Sequence, residues 1–385
     1  MQDGNVAQPA NLGRKILNGT FGAVGATVLL LLAFILAGVM LFASGSAAGT
    51  ASSTGDQLLM DSYDMYMTNE ISDALDGVLQ IDKVYWLNDS NVIAPKPNPE
   101  CYGRTSDPSS LQWLLDEAAP LLDGQELLFS LDVELYPDTE VIYYLDETIF
   151  CISWRILMDQ DMYTFSEVFI AHPSQFRRYL ADDTYGSSKR YYGSDMAKAV
   201  NAVSASNGDF YQFRNDGIVV YKGEVHRANA NADICFVDDQ GDLIFARRGQ
   251  LKDQKAAEAF VEEHNVRFSI AFGPILVENH KAADIGAYPL GNIDGYYPRA
   301  AIGTLGKLHY LQVVAGYTPD PRPTPNIWQF AKKMESFGCE KAYALDGGQT
   351  GLIVVGGEVQ NYLSYGSERV VSDIIYFATA VPDGG

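Results

Sequence analysis

One stretch near the C-terminal end of the sequence constrains the fold most, because an apolar run leads directly into a carboxylate and two glycines. The run is Ala342–Leu345, and Asp346, Gly347 and Gly348 follow it. Glycine has no Cβ and accepts positive φ, so the chain can turn sharply there and approach a ligand closely. The pattern predicts a buried strand that ends in a tight turn. Asp346 then either caps that turn or faces a ligand.

Short β-prone runs recur from about residue 140, and helical patterns separate them without a regular strand–helix repeat. Strands are predicted at 141–145, 148–154, 167–171, 217–221, 234–237, 243–246 and 309–314, and helices at 109–122, 194–203, 253–264 and 326–337. Lys222–Gly223 and Gln240–Gly241 indicate hairpin turns. This mixture predicts an α+β fold with a mixed, mainly antiparallel sheet flanked by helices.

The N-terminal part of the sequence carries a long apolar segment. Residues 16–55 contain no charged side chain, and residues 21–43 are almost wholly apolar, which is long enough to cross a bilayer. Arg14 and Lys15 precede the segment, so the positive-inside rule predicts a cytoplasmic N-terminus and an extracellular body. A cleaved signal peptide with Ser46–Ala48 as its cleavage site is the alternative.

These features divide the chain into five predicted regions. They are a cytoplasmic tail at 1–20, a transmembrane anchor at 21–43, a flexible tether of small polar residues at 44–56, a membrane-proximal region at 57–139 and the main domain at 140–385. The anchor-plus-domain plan is typical of a bacterial cell-envelope protein.

Charge and cysteine content narrow the classes of partner. The chain carries 49 acidic and 27 basic residues, a net charge of −22, which argues against nucleic acid as a partner because nucleic acid binds a positive surface. The four cysteines at 101, 151, 235 and 339 form no C-x-x-C pair. An extracellular location permits disulfides, and the sequence leaves open whether these thiols pair or stay free.

Four further segments change the weight given to Asp346. They are Ala205–Tyr211, which contains Asn-Gly-Asp, Ala271–Val277, Tyr297–Gly303, which contains Arg-Ala-Ala-Ile-Gly, and Glu368–Asp373. In this order, together with Ala342–Thr350, they resemble the phosphodiester glycosidase family, over roughly residues 140 to 380. Members of this family, such as N-acetylglucosamine-1-phosphodiester alpha-N-acetylglucosaminidase, release a sugar from a sugar-phosphate diester.

The resemblance implies a set of site residues. Asp346, as nucleophile or electrostatic stabiliser, Asp209 as a second carboxylate and Arg299 as a phosphate-binding cation are the expected catalytic residues. The expected substrate-binding residues are Asn207, Gly208, Gly273, Gly347, Gly348, Gln349 and Thr350. Asn207 is also consistent with a simple Asn-Gly turn. Backbone N–H groups around Gly347 and Gly348 are a candidate anion nest.

Other chemistries find little support in the sequence. It contains no H-E-x-x-H, G-x-S-x-G or Walker A pattern, so no metal site and no cofactor are predicted, and no motif supports a divalent cation. Asp238–Asp242 indicates a hairpin turn more strongly than a calcium loop.

The sequence predicts a membrane-anchored, extracytoplasmic glycosidase that hydrolyses a sugar-1-phosphodiester in a surface or exopolysaccharide glycan. The alternative is a non-catalytic module that binds phosphorylated glycans in the cell envelope. The retained Asp346, Asp209 and Arg299 favour the enzyme, whereas Ala315–Tyr317, which stands where members often have Asp-Gly-Arg, favours the module. Two further departures are Ala344 in place of an Asn and Gly347–Thr350 in place of Gly-Gly-Gly-Ser. An assembly factor that works through residues 57–139 is a third possibility.

Overall fold

A computed structural model describes residues 94–380, apart from 210, 287, 289–294, 317–323 and 364–365. The predicted anchor at 21–43, the tether and residues 57–93 of the membrane-proximal region lie outside the described residues. Within the described part of the chain, no helix has both the length and the apolar character that crossing a bilayer requires.

The largest element is a nine-stranded sheet in the order β1-β2-β3-β4-β16-β15-β17-β13-β14. Its strands are β1 Tyr102–Thr105, β2 Val141–Leu145, β3 Ile149–Met158, β4 Asp161–Ile170, β13 Ile275–Glu278, β14 Lys281–Ala282, β15 Arg299–Gly306, β16 His309–Gly316 and β17 Lys341–Leu345. The predicted 342–345 run is therefore β17, which lies between β15 and β13 and is buried over most of its length.

A second sheet has five strands in the order β19-β18-β7-β21-β5. Its strands are β5 Phe176–Leu180, β7 Ala202–Asn207, β18 Ile353–Val355, β19 Glu358–Val359 and β21 Asp373–Ala378. The smaller sheets contain β6 Tyr191–Tyr192 with β20 Val370–Val371, β8 Gly217–Tyr221 with β9 Glu224–Asn229, and β10 Ile234–Val237 between β11 Leu243–Ala246 and β12 Phe268–Ile270. Every strand pair among the described residues is antiparallel. The predicted α+β fold with mainly antiparallel pairing is confirmed, and no parallel pair is found among these residues.

Four α-helices accompany the sheets in the described part of the chain. They are α1 Gln112–Leu122, α2 Gly193–Ala199, α3 Gln254–Glu263 and α4 Ile327–Ser336. Helix α4 begins at a capping box, in which Asn326 and Gln329 satisfy each other's backbone N–H groups, and it buries Phe330 and Met334. These two side chains join α1 and one face of the large sheet in one apolar cluster, and the opposite face packs against the five-stranded sheet.

Two sequence predictions need correction. The helix predicted over 194–203 ends at Ala199, because residues 202–207 are buried and pair with both β18 and β21. The domain boundary predicted after residue 139 falls inside one sheet, because β1 pairs with β2.

Candidate active site

The candidate site lies where β17 ends. Residues Lys341–Leu345 are held on both sides by β15 and β13, and Asp346 follows as the first partly exposed residue. A Cβ at Gly347 would overlap the Pro298 carbonyl oxygen, so only glycine lets the chain pass so close to the start of β15. The chain then forms a single 3-10 turn at Gly348–Thr350.

The polar groups of this turn are partly committed to the protein itself. The Gly348 N–H donates to the Pro298 carbonyl at 2.8 Å, so this hydrogen does not face an anion as the predicted nest requires. Thr350 is buried and its hydroxyl donates to the Gly347 carbonyl at 2.6 Å. Asp346 and Gln349, by contrast, are partly exposed. Of the residues predicted in this segment, these two have side chains that a substrate can reach.

Asn207 connects the end of β7 to the end of β17. Its Nδ2 donates to the Asp346 carbonyl at 2.6 Å and to the Gly208 carbonyl at 3.3 Å, and its Oδ1 accepts the Leu352 N–H at 3.0 Å. The side chain is 1% exposed. Asn207 therefore holds the backbone of Asp346 in place, and both of its amide hydrogens are engaged; this is neither the predicted sugar contact nor a simple turn.

Asp209 is a core residue in this structure. Its carboxylate is 0% exposed, it lies 2.9 Å from Nη2 of Arg178, and it accepts the N–H groups of Tyr211 at 2.7 Å and Ala271 at 2.8 Å. A second buried carboxylate, Asp373, lies 2.7 Å from the same Nη2 and accepts the Arg178 Nε–H at 2.8 Å. The structure thus places Asp209 where it organises the core, out of reach of a substrate.

This buried triad contains two carboxylates and one guanidinium. Burial, partly offset by Arg178, raises the pKa of Asp373, and the charge of Asp209 raises it further, to about 7. The two carboxylates raise the pKa of Arg178 above its ordinary value against the effect of burial, so the guanidinium stays charged. The triad also fixes Gly208, whose Cβ, if present, would overlap the Asp373 carboxylate.

Arg299 begins β15, directly beside the turn that follows Asp346. Its Nη2 donates to the Gly295 carbonyl at 2.6 Å and its Nε donates to the Pro325 carbonyl at 3.2 Å. Burial lowers the pKa of Arg299 to about 10, and Tyr297 partly offsets this effect. The side chain is therefore still charged at neutral pH and is oriented by backbone carbonyls.

Gly273 lies in a loop that contacts the strand before Asp346. It lies in the loop before β13, is buried and is joined to Pro274 by a cis peptide bond. The Pro274 carbonyl accepts the Ala344 N–H at 3.0 Å, two residues before Asp346. Five segments that are distant in sequence thus meet at one end of the sheets: 207–209, 271–274, 298–299, 346–348 and 372–373.

Sequence reasoning missed several cationic groups in this region. Arg178 stands with Arg177 in the otherwise apolar strand β5, and two charged residues in such a strand were a readable signal for a buried ionic cluster. Arg214 lies over the Phe272 ring at 4.4 Å, and Arg190 lies over Phe213 at 3.9 Å. These arginines follow or face the loop after Asp209, so they supply local positive charge within a strongly acidic chain.

Neither metal ligands nor disulfides are found in the described part of the chain. No group of three His, Cys, Asp or Glu side chains has an arrangement suited to a metal ion there. All four cysteines are free thiols, and Cys151, Cys235 and Cys339 are buried. Burial raises the pKa of Cys151 to about 11 and that of Cys339 to about 12, so these thiols stay protonated at neutral pH.

Comparison with known proteins identifies relatives over part of the chain. An uncharacterized protein of Bacillus subtilis strain 168, the SPbeta prophage-derived YomE, is 27% identical over 203 residues, which are 50% of this chain and 30% of that protein. A hypothetical protein from Synechocystis has a similar fold, with a TM-score of 0.51, 14% identity and coverage of 65% of both chains. The catalytic domain of the zebrafish N-acetylglucosamine-1-phosphodiester alpha-N-acetylglucosaminidase gives a TM-score of 0.46 at 17% identity, over 64% of this chain and 86% of that one.

The family model for phosphodiester glycosidases matches residues 200–378. The match begins just before β7 and ends with β21, so it contains Asn207, Arg299, Asp346 and Asp373 but not Arg178. Residues 200–378 of this chain therefore form a domain of the phosphodiester glycosidase family.

Proposed function

We propose that this protein hydrolyses the bond between the anomeric carbon of a sugar and a phosphodiester oxygen. The observation that carries the proposal is the meeting of Asn207, Arg299 and Asp346–Gly347 at one end of the sheets. Asp346 is a partly exposed carboxylate whose backbone is fixed on both sides, since its N–H donates to the Gly208 carbonyl and its carbonyl accepts from Asn207. A fixed carboxylate suits a reaction in which positive charge develops at an anomeric centre.

The chemistry of the leaving group explains why one accessible carboxylate is sufficient. The departing phosphate monoester is a weak base, so it needs little protonation by a general acid. The carbon–oxygen bond breaks and its electron pair leaves with the phosphate monoester. Water then bonds to the anomeric carbon and gives up one proton, which the departing phosphate or the solvent takes. In this proposal Asp346 acts as nucleophile or as electrostatic stabiliser of the oxocarbenium-like transition state.

The phosphate needs a cation, and Arg299 is the one proposed to bind it. Its guanidinium is planar and remains charged, and two of its N–H groups already hold it against Gly295 and Pro325. Arg190 and Arg214 add positive charge on neighbouring loops. Local cations of this kind offset the repulsion that a net charge of −22 exerts on an anionic substrate.

The proposed setting is the outer side of a cell membrane. The apolar run at 21–43 would anchor the protein, with the N-terminus in the cytoplasm and the glycosidase domain outside. The substrate would then be a phosphorylated surface glycan or exopolysaccharide.

The test is hydrolysis of a series of methyl phosphodiesters of hexose 1-phosphates by the purified full-length chain. Release of free sugar is the expected result. Asp346→Asn keeps the shape of the side chain and removes its charge, so it should lower the rate by about a thousandfold, the effect of losing one group that stabilises the transition state. The alkyl glycoside of the same sugar should not react, because it lacks the phosphate that Arg299 would bind.

Two substitutions at Arg299 separate charge from geometry. Arg299→Lys keeps the positive charge and loses the planar fork, so it should retain more activity than Arg299→Ala. Equal activity of both variants and the wild type would remove Arg299 from the proposed site. Arg247→Met, at an exposed ion pair with Glu278, serves as the matched control.

A glycan-binding module without catalysis is the second candidate. The observation that favours it is the enclosure of Asp209, which leaves the site without the second carboxylate of an ordinary glycosidase. Binding of a sugar 1-phosphodiester that Asp346→Asn leaves intact, with no hydrolysis of any diester in the series, would favour this candidate over the enzyme.

A further inference from the structure

Three side chains outside the site already described form an aromatic–arginine cluster, which consists of Tyr136, Arg155 and Tyr362. The guanidinium carbon of Arg155 lies 5.2 Å from the centre of the Tyr362 ring, and the Tyr136 and Tyr362 rings meet edge to face at 6.1 Å. The Tyr136 N–H also donates to the Arg155 carbonyl at 2.9 Å. The three side chains are all partly exposed, so a ligand can reach them.

Arg155 differs from two exposed arginines in the described part of the chain. Arg104 is paired with Glu140 and Glu358, and Arg247 is paired with Glu278. No carboxylate among the described residues lies within 4.0 Å of the Arg155 guanidinium. A half-buried cation that stacks on an aromatic ring and has no acidic partner, in a chain with a large acidic excess, is suited to an anionic ligand.

The cluster is connected to the candidate active site through the large sheet. Arg155 pairs with Thr164, Thr164 with Val314, Val314 with Ala300, and Ala300 with Leu345, the residue before Asp346. Paired residues of antiparallel strands share a face, so these five residues lie on one face of the sheet, where the four from Thr164 to Leu345 are buried. Four strand spacings of about 4.8 Å put the Arg155 backbone roughly 19 Å from Leu345.

The loops above this row continue the connection. Asn361 Nδ2 donates to the Gly351 carbonyl at 2.9 Å, and Asn361 Oδ1 accepts the Ile353 N–H at 2.8 Å. The segment that carries Tyr362 is thereby attached to the chain that leaves the Gly348–Thr350 turn. Asn361, Gly351 and Ile353 are buried, so these bonds fix the position of Tyr362 relative to the turn beside Asp346.

An open cavity of about 640 Å³ adjoins the cluster at Tyr136. The residues that line it include Ser106, Tyr136, Pro137, Thr139 and Glu140. Glu140 and the neighbouring Asp138 make the cavity unfavourable for phosphate and suitable for neutral hydroxyl groups. A neutral sugar ring would suit the acidic cavity, and a phosphate would suit the positively charged Arg155.

We propose that the aromatic–arginine cluster and its cavity form a distal subsite for a second sugar-phosphate unit of a polymeric substrate. This inference rests on the proposed function, because it assigns the polymer to the same site. The reacting unit would lie at Asp346, and the glycan would span the roughly 19 Å between the end of β17 and Arg155. The protein would then prefer a phosphodiester-linked oligomer to a single sugar-phosphate diester.

The test compares two synthetic probes in calorimetric titrations. One probe is the methyl phosphodiester of a hexose 1-phosphate, and the other is a phosphodiester-linked tetramer of the same unit. Both probes contain the hexose whose methyl phosphodiester the full-length chain binds most tightly. All titrations use the Asp346→Asn background, so that hydrolysis does not consume the probe. The tetramer should bind more tightly than the monomer. Arg155→Met should weaken tetramer binding by about tenfold, the effect of losing one charge-assisted contact, and should leave monomer binding unchanged.

Matched variants keep the result interpretable. Arg247→Met removes an arginine far from the cavity in sequence and should change neither titration. Tyr362→Leu removes the ring under Arg155 and should also weaken the tetramer selectively. Far-ultraviolet circular dichroism checks that each variant is folded, and Arg155→Gln, which also removes the charge, replaces Arg155→Met should the latter not fold.

The outcomes separate the subsite from the proposed function. Equal affinity of Arg155→Met and the parent for the tetramer, or equal weakening by Arg155→Met and Arg247→Met, would overturn the subsite. Absence of hydrolysis by the chain with Asp346 intact, together with tetramer binding that depends on Arg155, would refute the glycosidase and retain the subsite.

Discussion

Arg178→Met tests whether the buried triad holds the core around the site together. Arg178 lies 2.9 Å from Asp209 and 2.7 Å from Asp373, and all three side chains are 0% exposed. Its removal leaves two carboxylates buried without a cation. Loss of one partner from a buried ion pair costs about 3–5 kcal/mol, because the remaining charge is uncompensated. We therefore expect the free energy of unfolding to fall by about 3–5 kcal/mol.

Urea unfolding of the full-length chain at pH 7, followed by tryptophan fluorescence, measures this change. Arg247→Met is the control, because its pair with Glu278 is partly exposed and should contribute about 1 kcal/mol or less. Asp373→Asn should have a smaller effect than Arg178→Met, because it leaves one carboxylate facing one guanidinium. If Arg178→Met lowers the free energy of unfolding no more than Arg247→Met does, the triad does not stabilise this region.

Further predictions concern pH, thiols and topology. The pKa of Asp373 is raised by burial from its ordinary value of 3.8 to about 7 in the folded chain, so the folded state binds more protons between these values. The contribution of Asp373 to stability should therefore decline as pH rises from about 4 to about 7, and the difference in unfolding free energy between wild type and Asp373→Asn should reveal it; a difference independent of pH would contradict this. Four thiols should react with a maleimide under denaturing conditions without reductant, and fewer would mean a disulfide. Protease added to intact cells should digest the region after residue 44, and complete protection there, with a permeabilised control digested, would reverse the proposed orientation.

Local chemistry explains which parts of the fold were predictable from the sequence. The strands 217–221, 234–237 and 243–246 have the predicted bounds, because glycine-containing turns fix the hairpins beside them. Helix α4 was predictable from its apolar spacing, its Asn326 cap and the glycine after it. The strand before Asp346 was visible for the same reason: its residues are apolar and a glycine pair ends it.

Long-range pairing explains what was missed. Residues 202–207 have helix-compatible small side chains, and only their pairing with β18 and β21 makes them a strand. The role of Asp209 depends on Arg178, which is distant in sequence and meets it through the pairing of β5 with β21. Likewise, the hydrogen bond from Asn207 to the Asp346 carbonyl joins residues that are distant in sequence, so the sequence did not predict it.

The position of bond cleavage distinguishes a glycosidase from an enzyme that attacks phosphorus. The full-length chain should be allowed to hydrolyse a methyl phosphodiester of a hexose 1-phosphate in water enriched in oxygen-18, and the label should then be located by mass spectrometry with rapid quenching. A glycosidase that breaks the bond at the anomeric carbon places the label in the free sugar and none in methyl phosphate. Labelled methyl phosphate with unlabelled sugar, or labelled hexose 1-phosphate with methanol, would show cleavage at phosphorus and would contradict the proposed glycosidase.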